Sequence, residues 1–298
     1  MLSRAFFIFI ITVTFSNNLF AKTQNCQELS IPITFDPQGL PIIELSINDV
    51  KHNVLLDLGS SDGIHLPVNE IKNISGLKYT GNSVKSSNIK GEVFESKEFL
   101  ISSFKISCAI FSNIKGLELA PWAASIGEGN VDNGAEQIVI GLDFFKGKSI
   151  TINYFDKTLL INSADKKDSS SNVSHLSNAF KLTKEGISIG VNSSIASYQM
   201  ILDSGASSSI FVANKVSPNE DVKVCDYDLG PDIECKIFDS TLKVFGHSFD
   251  ANILLFPIDE RFKMDGILGS DFFKSFIVEI DFLNKAIALT PIQNNSAS

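Results

Sequence analysis

"GLDFFKGKSITINYFDKTLLI", residues 141–161, and "GSDFFKSFIVEIDFLNKAIAL", residues 269–289, decide how the rest of the chain is read. The two stretches align without a gap at an offset of 128 residues (269 − 141). Gly141 meets Gly269, and Asp-Phe-Phe-Lys meets Asp-Phe-Phe-Lys. Ile150, Ile152 and Tyr154 meet Val278, Ile280 and Phe282, the alternation of a strand with one buried face. An apolar pair precedes the glycine in each copy, Val139-Ile140 and Ile267-Leu268. Two copies make a duplicated domain, whereas a solenoid needs a longer series.

Upstream of each copy lies a second matching element. Residues 53–63 read "NVLLDLGSSDG" and residues 200–211 read "MILDSGASSSIF". In both, an apolar run ends in an aspartate, Asp57 or Asp203, followed two residues on by a glycine, Gly59 or Gly205. One Asp-Ser-Gly is ordinary turn chemistry. Its recurrence in the same order in both halves makes the two acids candidates for a shared site. The stretch from Asn162 to Asn178 is polar and aperiodic, which predicts a linker over 163–178 between one lobe at 22–162 and another at 179–298.

The remaining strands read the same way. "PIIELSI" (41–47) and "GISIGV" (186–191) alternate apolar with polar or small residues. Long stretches of helical period are absent, and Gly, Asn and Ser punctuate the runs, so the expected fold class is all-β. A hydrophobic content of 44% with 20% charged residues describes a globular chain. The net charge of −9 argues against a nucleic-acid partner, which needs a basic face.

Residues 1–21, with Arg4 ahead of "AFFIFIITVTF" and a small residue at Ala21, read as a secretory signal peptide too short for a comfortable membrane span. The mature chain is therefore expected to be secreted or periplasmic, with no membrane attachment after cleavage. An oxidising compartment permits disulfides among Cys26, Cys108, Cys225 and Cys235. Cys225 and Cys235 flank "DYDLGPDIE", whose central Gly230-Pro231 suits a hairpin closed by a bridge. Cys26 and Cys108 are the pair left over, although Cys108 also falls on the alternating face Phe104, Ile106, Cys108, Ile110, where it would be a buried thiol.

If the halves pack about a pseudo-two-fold axis, Asp57 and Asp203 meet at its centre. Two carboxylates about 3 Å apart cannot both ionise easily, so the pair holds one proton over a wide pH range. The ionised member can take a proton from water while the protonated member donates to a substrate carbonyl oxygen.

At these residues the chain resembles the aspartic proteases, pepsin-like and retropepsin-like. The resemblance rests on "LLDLGSS" (55–61), "ILDSGAS" (201–207), "VIG" (139–141) and "ILG" (267–269), and the repeat extends it over roughly residues 31–290. It implies two homologous β-barrel-like lobes with a central cleft, and an endopeptidase with Asp57 and Asp203 as catalytic residues. It further implies that Gly59, Ser60, Ser204 and Gly205 support the active-site loops. A flap would cover the cleft over 78–94, with Gly81 and Gly91 as flexible points and Tyr79 in the cleft. The implied partner is a polypeptide substrate, with no cofactor and no metal, and a duplicated chain completes its site as a monomer. One departure matters: the resemblance calls for a hydroxyl directly after each Asp. Ser204 supplies it and Leu58 does not, which favours, as the alternative, a peptide-binding scaffold that cuts poorly or not at all. Ala206, where the pepsin-like members carry a hydroxyl, is a variant shared with the retropepsin-like ones.

A rival is written in the same stretch. "GSSDG" (59–63) satisfies G-x-S-x-G, with Ser61 as nucleophile and His175 or His247 as base. That chemistry belongs on alternating strands and long helices, and it leaves the duplication unexplained. His52, His65, His175 and His247 show no paired ligand spacing, so no metal site is expected.

Overall fold

The computed structural model describes residues 28–47, 50–87, 92–120, 137–163, 178–215, 221–225 and 233–292. The expected signal peptide, Cys26, Gly91, Gly230-Pro231, His175 and the linker between its end residues lie outside them.

The first half runs through β1 (Glu28–Phe35), β2 (Pro41–Ile47), β3 (Val50–Leu56), β4 (Ile64–Leu66), the single turn α1 (Val68–Ile71), β5 (Leu77–Ser87), β6 (Val93–Ile106), β7 (Ala109–Glu118), β8 (Ile138–Ile140), β9 (Lys148–Asn153) and β10 (Thr158–Ser163). The second half follows with β11 (Asn178–Ala179), β12 (Lys181–Thr183), β13 (Gly186–Asn192), β14 (Ser197–Leu202), β15 (Ile210–Val212), β16 (Lys223–Val224), β17 (Lys236–Val244), β18 (His247–Phe256), β19 (Gly266–Leu268), α2 (Ser270–Ser275), β20 (Phe276–Asp281) and β21 (Ala286–Pro291). The regular structure of the described residues is thus nearly all strand, as the periodicity predicts. The repeated Asp-Phe-Phe-Lys forms short helical turns, a 3₁₀ turn over Leu142–Phe145 and α2, which drive Phe144, Phe145, Phe272 and Phe273 into the core.

Each half builds the same small knot of strands. β3 runs parallel to β8 (Val54↔Ile138, Leu56↔Ile140), and β4 lies antiparallel to β8 and parallel to β7. In the second half β14 runs parallel to β19 (Met200↔Gly266, Leu202↔Leu268), and β15 lies antiparallel to β19 and parallel to β18. Strands buried on both faces read as continuous apolar runs, which is why "VLL" and "MIL" lead into the two acids.

The repeated strands do not close their own lobes. β9 pairs with β10 and β20 with β21, and β9 and β20 then pair antiparallel to each other in one sheet shared by both halves. Its register displays the pseudo-two-fold axis: Ile150↔Ile280 and Ile152↔Val278 exchange under the 128-residue offset, and Thr151↔Glu279 sits on the axis. One continuous hydrophobic core includes Leu56, Leu58, Phe145, Ile150, Leu202, Phe273 and Ile280, so the halves are joined by buried apolar area, worth about 1.5–3 kcal/mol for each large side chain.

Cys225 and Cys235 form a disulfide, and Cys225 N–H donates to the Cys235 carbonyl at 3.1 Å, at the mouth of the β16–β17 ladder. Cys108 is not a buried thiol: it is exposed in the turn between β6 and β7 and is disulfide-bonded, its partner lying outside the described residues. Strand alternation stops where Ser107 takes a left-handed conformation (φ 52°), which turns the next side chain out of the pattern.

Candidate active site

Asp57 follows the last residue of β3, and its N–H donates to the Ile140 carbonyl at 2.9 Å; Asp203 follows β14, and its N–H donates to the Leu268 carbonyl at 3.0 Å. The ends of β8 and β19 therefore pin the two acids by equivalent bonds. After each acid the backbone turns back over its own carboxylate. Gly59 N–H donates to Asp57 Oδ1 at 2.8 Å and Ser60 N–H at 3.3 Å, while Gly205 N–H donates to Asp203 Oδ1 at 2.8 Å.

The two carboxyl groups face each other across the axis, each lying against the glycine of the opposite loop, close enough to share a proton. A bond between two acceptors requires a proton between them. Neither glycine is in the left-handed region. They are needed for space: a Cβ on Gly59 would run into the Asp203 carboxylate, and one on Gly205 would run into that of Asp57. The space beside each glycine is filled by the acid of the opposite loop.

Burial raises both acids above the ordinary carboxylate range, Asp57 well above it. Asp57 is 4% exposed, and the charge of Asp203 and their mutual hydrogen bond push it further up. Asp203 is held lower by that same bond and by main-chain N–H groups, including Gly59 of the opposite loop. The pair therefore titrates as a unit and retains one proton where an isolated aspartate has none.

Ser204 ties the two loops together. Its hydroxyl donates to the Leu56 carbonyl at 2.7 Å, and its Oγ accepts from Leu58 N–H at 3.0 Å. Leu58 is 0% exposed and belongs to the core. The hydroxyl cross-link is thus present in one direction, from the second half to the first, and Leu58 takes part through its backbone.

Tyr79 and Gly81 lie in the β5–β6 hairpin, whose outer connection (88–91) is outside the described residues. Gly81 takes φ +88° in a bulge between Tyr79 and Ser83. Tyr79 is 47% exposed, donates its hydroxyl to Glu118 Oε1 at 2.7 Å and meets the Phe99 ring edge-on.

Two residues near the pair escaped sequence reasoning. His65 is buried, and its Nε2 lies 2.8 Å from Ser60 Oγ. They stand five positions apart, Ser60 in the loop and His65 in β4, a spacing that matches no motif. Tyr154 is buried beside Phe35 and Phe273, and the charges of Asp203 and Asp57 help burial to raise its hydroxyl above the ordinary range. Its signal was the repeat itself, where a hydroxyl-bearing ring occupies the position that the second copy gives to Phe282.

Among the described residues the serine rival does not assemble. Ser61 is exposed, and His247 packs its ring towards Phe276. The Ser–His bond that does form belongs to Ser60. Asp62 approaches the same nitrogen of His65 at 3.9 Å rather than orienting the opposite one, so the three do not make a catalytic triad.

No protein-family model and no curated protein sequence matches the chain. Among solved structures it is similar to basic 7S globulin from soybean, with a TM-score of 0.54 at 10% identity, over 89% of this chain and 95% of that one. That likeness is one of fold, and with the duplicated strand knots it gives the chain an all-β, two-lobed, acid-protease-like fold.

Proposed function

We propose that the protein is an aspartic endopeptidase in which Asp57 and Asp203, sharing one proton, activate a water against a peptide bond. The observation that carries this reading is the carboxyl pair built from one residue of each half, Asp57 buried and Asp203 half-buried, each packed against the glycine of the opposite loop. Burying two acids against each other is costly unless they are used, and strongly perturbed acid pairs mark functional sites.

The ionised member takes a proton from the water, and the water oxygen bonds to the carbonyl carbon. The protonated member gives its proton to the carbonyl oxygen, forming a gem-diol. As the gem-diol collapses and the C–N bond breaks, one of its hydroxyls returns a proton to the ionised member, the amine nitrogen takes a proton from the protonated member, and the pair is again singly protonated. Gly59 and Gly205 permit the close approach, Ser204 holds the loops in register, and Ser60 N–H orients Asp57. The polypeptide lies under the β5–β6 hairpin, with Tyr79 and Gly81 at its base. Both acids come from one chain, so a single copy completes the site. Work outside the reducing cytoplasm accords with the Cys225–Cys235 disulfide.

The test is cleavage of an unfolded polypeptide across the acidic to neutral range. The wild type cuts and is inhibited by a statine-type transition-state mimic, Asp57→Asn and Asp203→Asn do not cut, and Ser61→Ala cuts as wild type. Undiminished cutting by both Asn variants would remove the pair from the mechanism. The one-way cross-link at Leu58 favours a second reading, a scaffold that binds peptide without hydrolysing it. A wild type that binds the mimic but never turns over substrate would select that reading.

A further inference from the structure

The two active-site loops share a backbone but not a polarity. Leu142 N–H donates to the Ser60 carbonyl and Ser270 N–H to the Ala206 carbonyl, both at 2.9 Å, so Ser60 and Ala206 are equivalent. Beyond them the first loop leads into a strand carrying His65, while β15 is apolar throughout, Ile210-Phe211-Val212. A serine–histidine pair therefore stands on the Asp57 side, whereas the buried serine of the second loop, Ser209, donates its hydroxyl to Asp271 Oδ1 at 2.7 Å. Ser60 reaches both ways: its N–H donates to Asp57 Oδ1 at 3.3 Å, and its Oγ is 2.8 Å from His65 Nε2.

We propose that His65 is a positioning residue that holds the Ser60 hydroxyl away from Asp57 while neutral and turns it onto the Asp57 carboxylate when protonated. This rests on the peptidase reading for its consequence, though not for its geometry. With its one hydrogen on Nδ1, a neutral His65 accepts the Ser60 hydroxyl hydrogen at Nε2. A proton taken up from solvent at Nε2 ends that acceptance, because an imidazolium has two N–H donors and no lone pair. Nε2–H then donates to Ser60 Oγ. The Ser60 hydrogen turns to the carboxylate that its own N–H already contacts. A new donor and a nearby cation both favour negative charge on the pair.

The surroundings suit such a device. His65 is 6% exposed, and burial lowers its titration from the ordinary value to about 4, so that it takes up its proton on the acid side. β8, paired to it through Val139, is apolar. β7, paired through Leu117, carries Lys115, engaged by Glu98 of β6, and Glu118, engaged by Tyr79 and Lys97. On its own loop Asp62 lies 3.9 Å from Nε2, with the charges of Lys115, Asp143 and Glu98 acting on it in turn. The consequence is an acid limb of activity displaced to lower pH.

Two measurements on the full mature chain decide it. The first follows the His65 ring carbon by NMR from about pH 3 to 8 in wild type, Asp57→Asn and Ser60→Ala. Coupling is reciprocal, so both substitutions should lower the His65 midpoint, by about half a pH unit or more. A midpoint unmoved in both overturns the proposal, and this readout needs no catalysis. The second is the pH profile of cleavage for His65→Gln and Ser60→Ala. The acid limb should rise by about half a unit, a roughly threefold loss of rate on that limb, while a merely structural role would lower the whole profile evenly. Ser60→Ala keeps the test open if His65→Gln fails to fold, since Ala206 shows that the loop accepts alanine. A wild type that never cuts would defeat the peptidase reading and leave the titration to judge the inference.

Discussion

The loop from Leu56 to Leu66 and the loop from Leu202 to Val212 follow one backbone path with different side chains. Each places an acid at the end of a buried strand and bonds its N–H to a neighbouring strand end. In the first loop the next residue is Leu58, a core side chain; in the second it is Ser204, a cross-link. The first then has Ser60 and His65, the second Ala206 and an apolar strand. The difference teaches that two-fold symmetry is needed in the backbone and not in the side chains. A single hydroxyl, donating and accepting at once, can bridge both loops. That leaves the opposite position free for packing, and the polar pair next to Asp57 makes the two acids inequivalent.

The largest effect should come from breaking the acids themselves. Asp57→Asn and Asp203→Asn should each lower kcat/KM by roughly a thousandfold or more, because either change removes the shared proton. A large loss in one and none in the other would mean that the halves do not act as partners. The same variants should melt higher than wild type at neutral pH. Both acids hold protons more tightly folded than unfolded, so above their unfolded pKa the folded state is penalised relative to the unfolded one, and a neutral amide removes the penalty.

His65 carries the next effect, with the opposite sign in acid. Its folded value of about 4 lies below the ordinary 6.5, so between those values the unfolded chain binds a proton that the folded chain does not. Stability should therefore fall as pH drops from about 6.5 to about 4 and then level off, by about 3 kcal/mol from this residue. Thermal melts of wild type and His65→Gln over that window should diverge by this slope; parallel curves would show that His65 titrates normally.

Ser204→Ala should cost about 2 kcal/mol and slow turnover, since it deletes two bonds and strands the buried Leu56 carbonyl. Chemical denaturation reads the loss, and an unchanged midpoint would mean that the loops are held by packing alone. The smallest effect is expected for Leu58→Thr. It gives up core volume but can form the reciprocal cross-link, two terms of similar size, so stability should move by less than about 1 kcal/mol. A loss near that of a Leu→Ala change would show that the second hydroxyl finds no partner.

Much of this was legible in the chain. The repeat placed Ile150, Ile152, Val278 and Ile280 in equivalent strands and paired Asp57 with Asp203. It did not show that β9 and β20 would pair with each other, because period-2 alternation identifies a buried face and says nothing of which strand lies alongside. Leu58 read as a defect because a missing hydroxyl is visible in sequence, whereas a second bond from Ser204 is not. Gly59 and Gly205 read as turn residues, although their need comes from an acid 144 to 148 positions away in the chain (59 to 203, 57 to 205). His65 was considered only as a metal ligand, and its tie to Ser60 depends on how the loop folds back.

The central claim is that Asp57 and Asp203 share one proton, and carboxyl-carbon NMR titration of ¹³C-labelled aspartate tests it most directly. The account predicts two widely separated steps that belong to the pair, with one proton retained well above the ordinary aspartate range. It also predicts that Asp57→Asn or Asp203→Asn collapses them to a single step. Two independent titrations near the ordinary value in the wild type, each undisturbed by loss of the other acid, would contradict it.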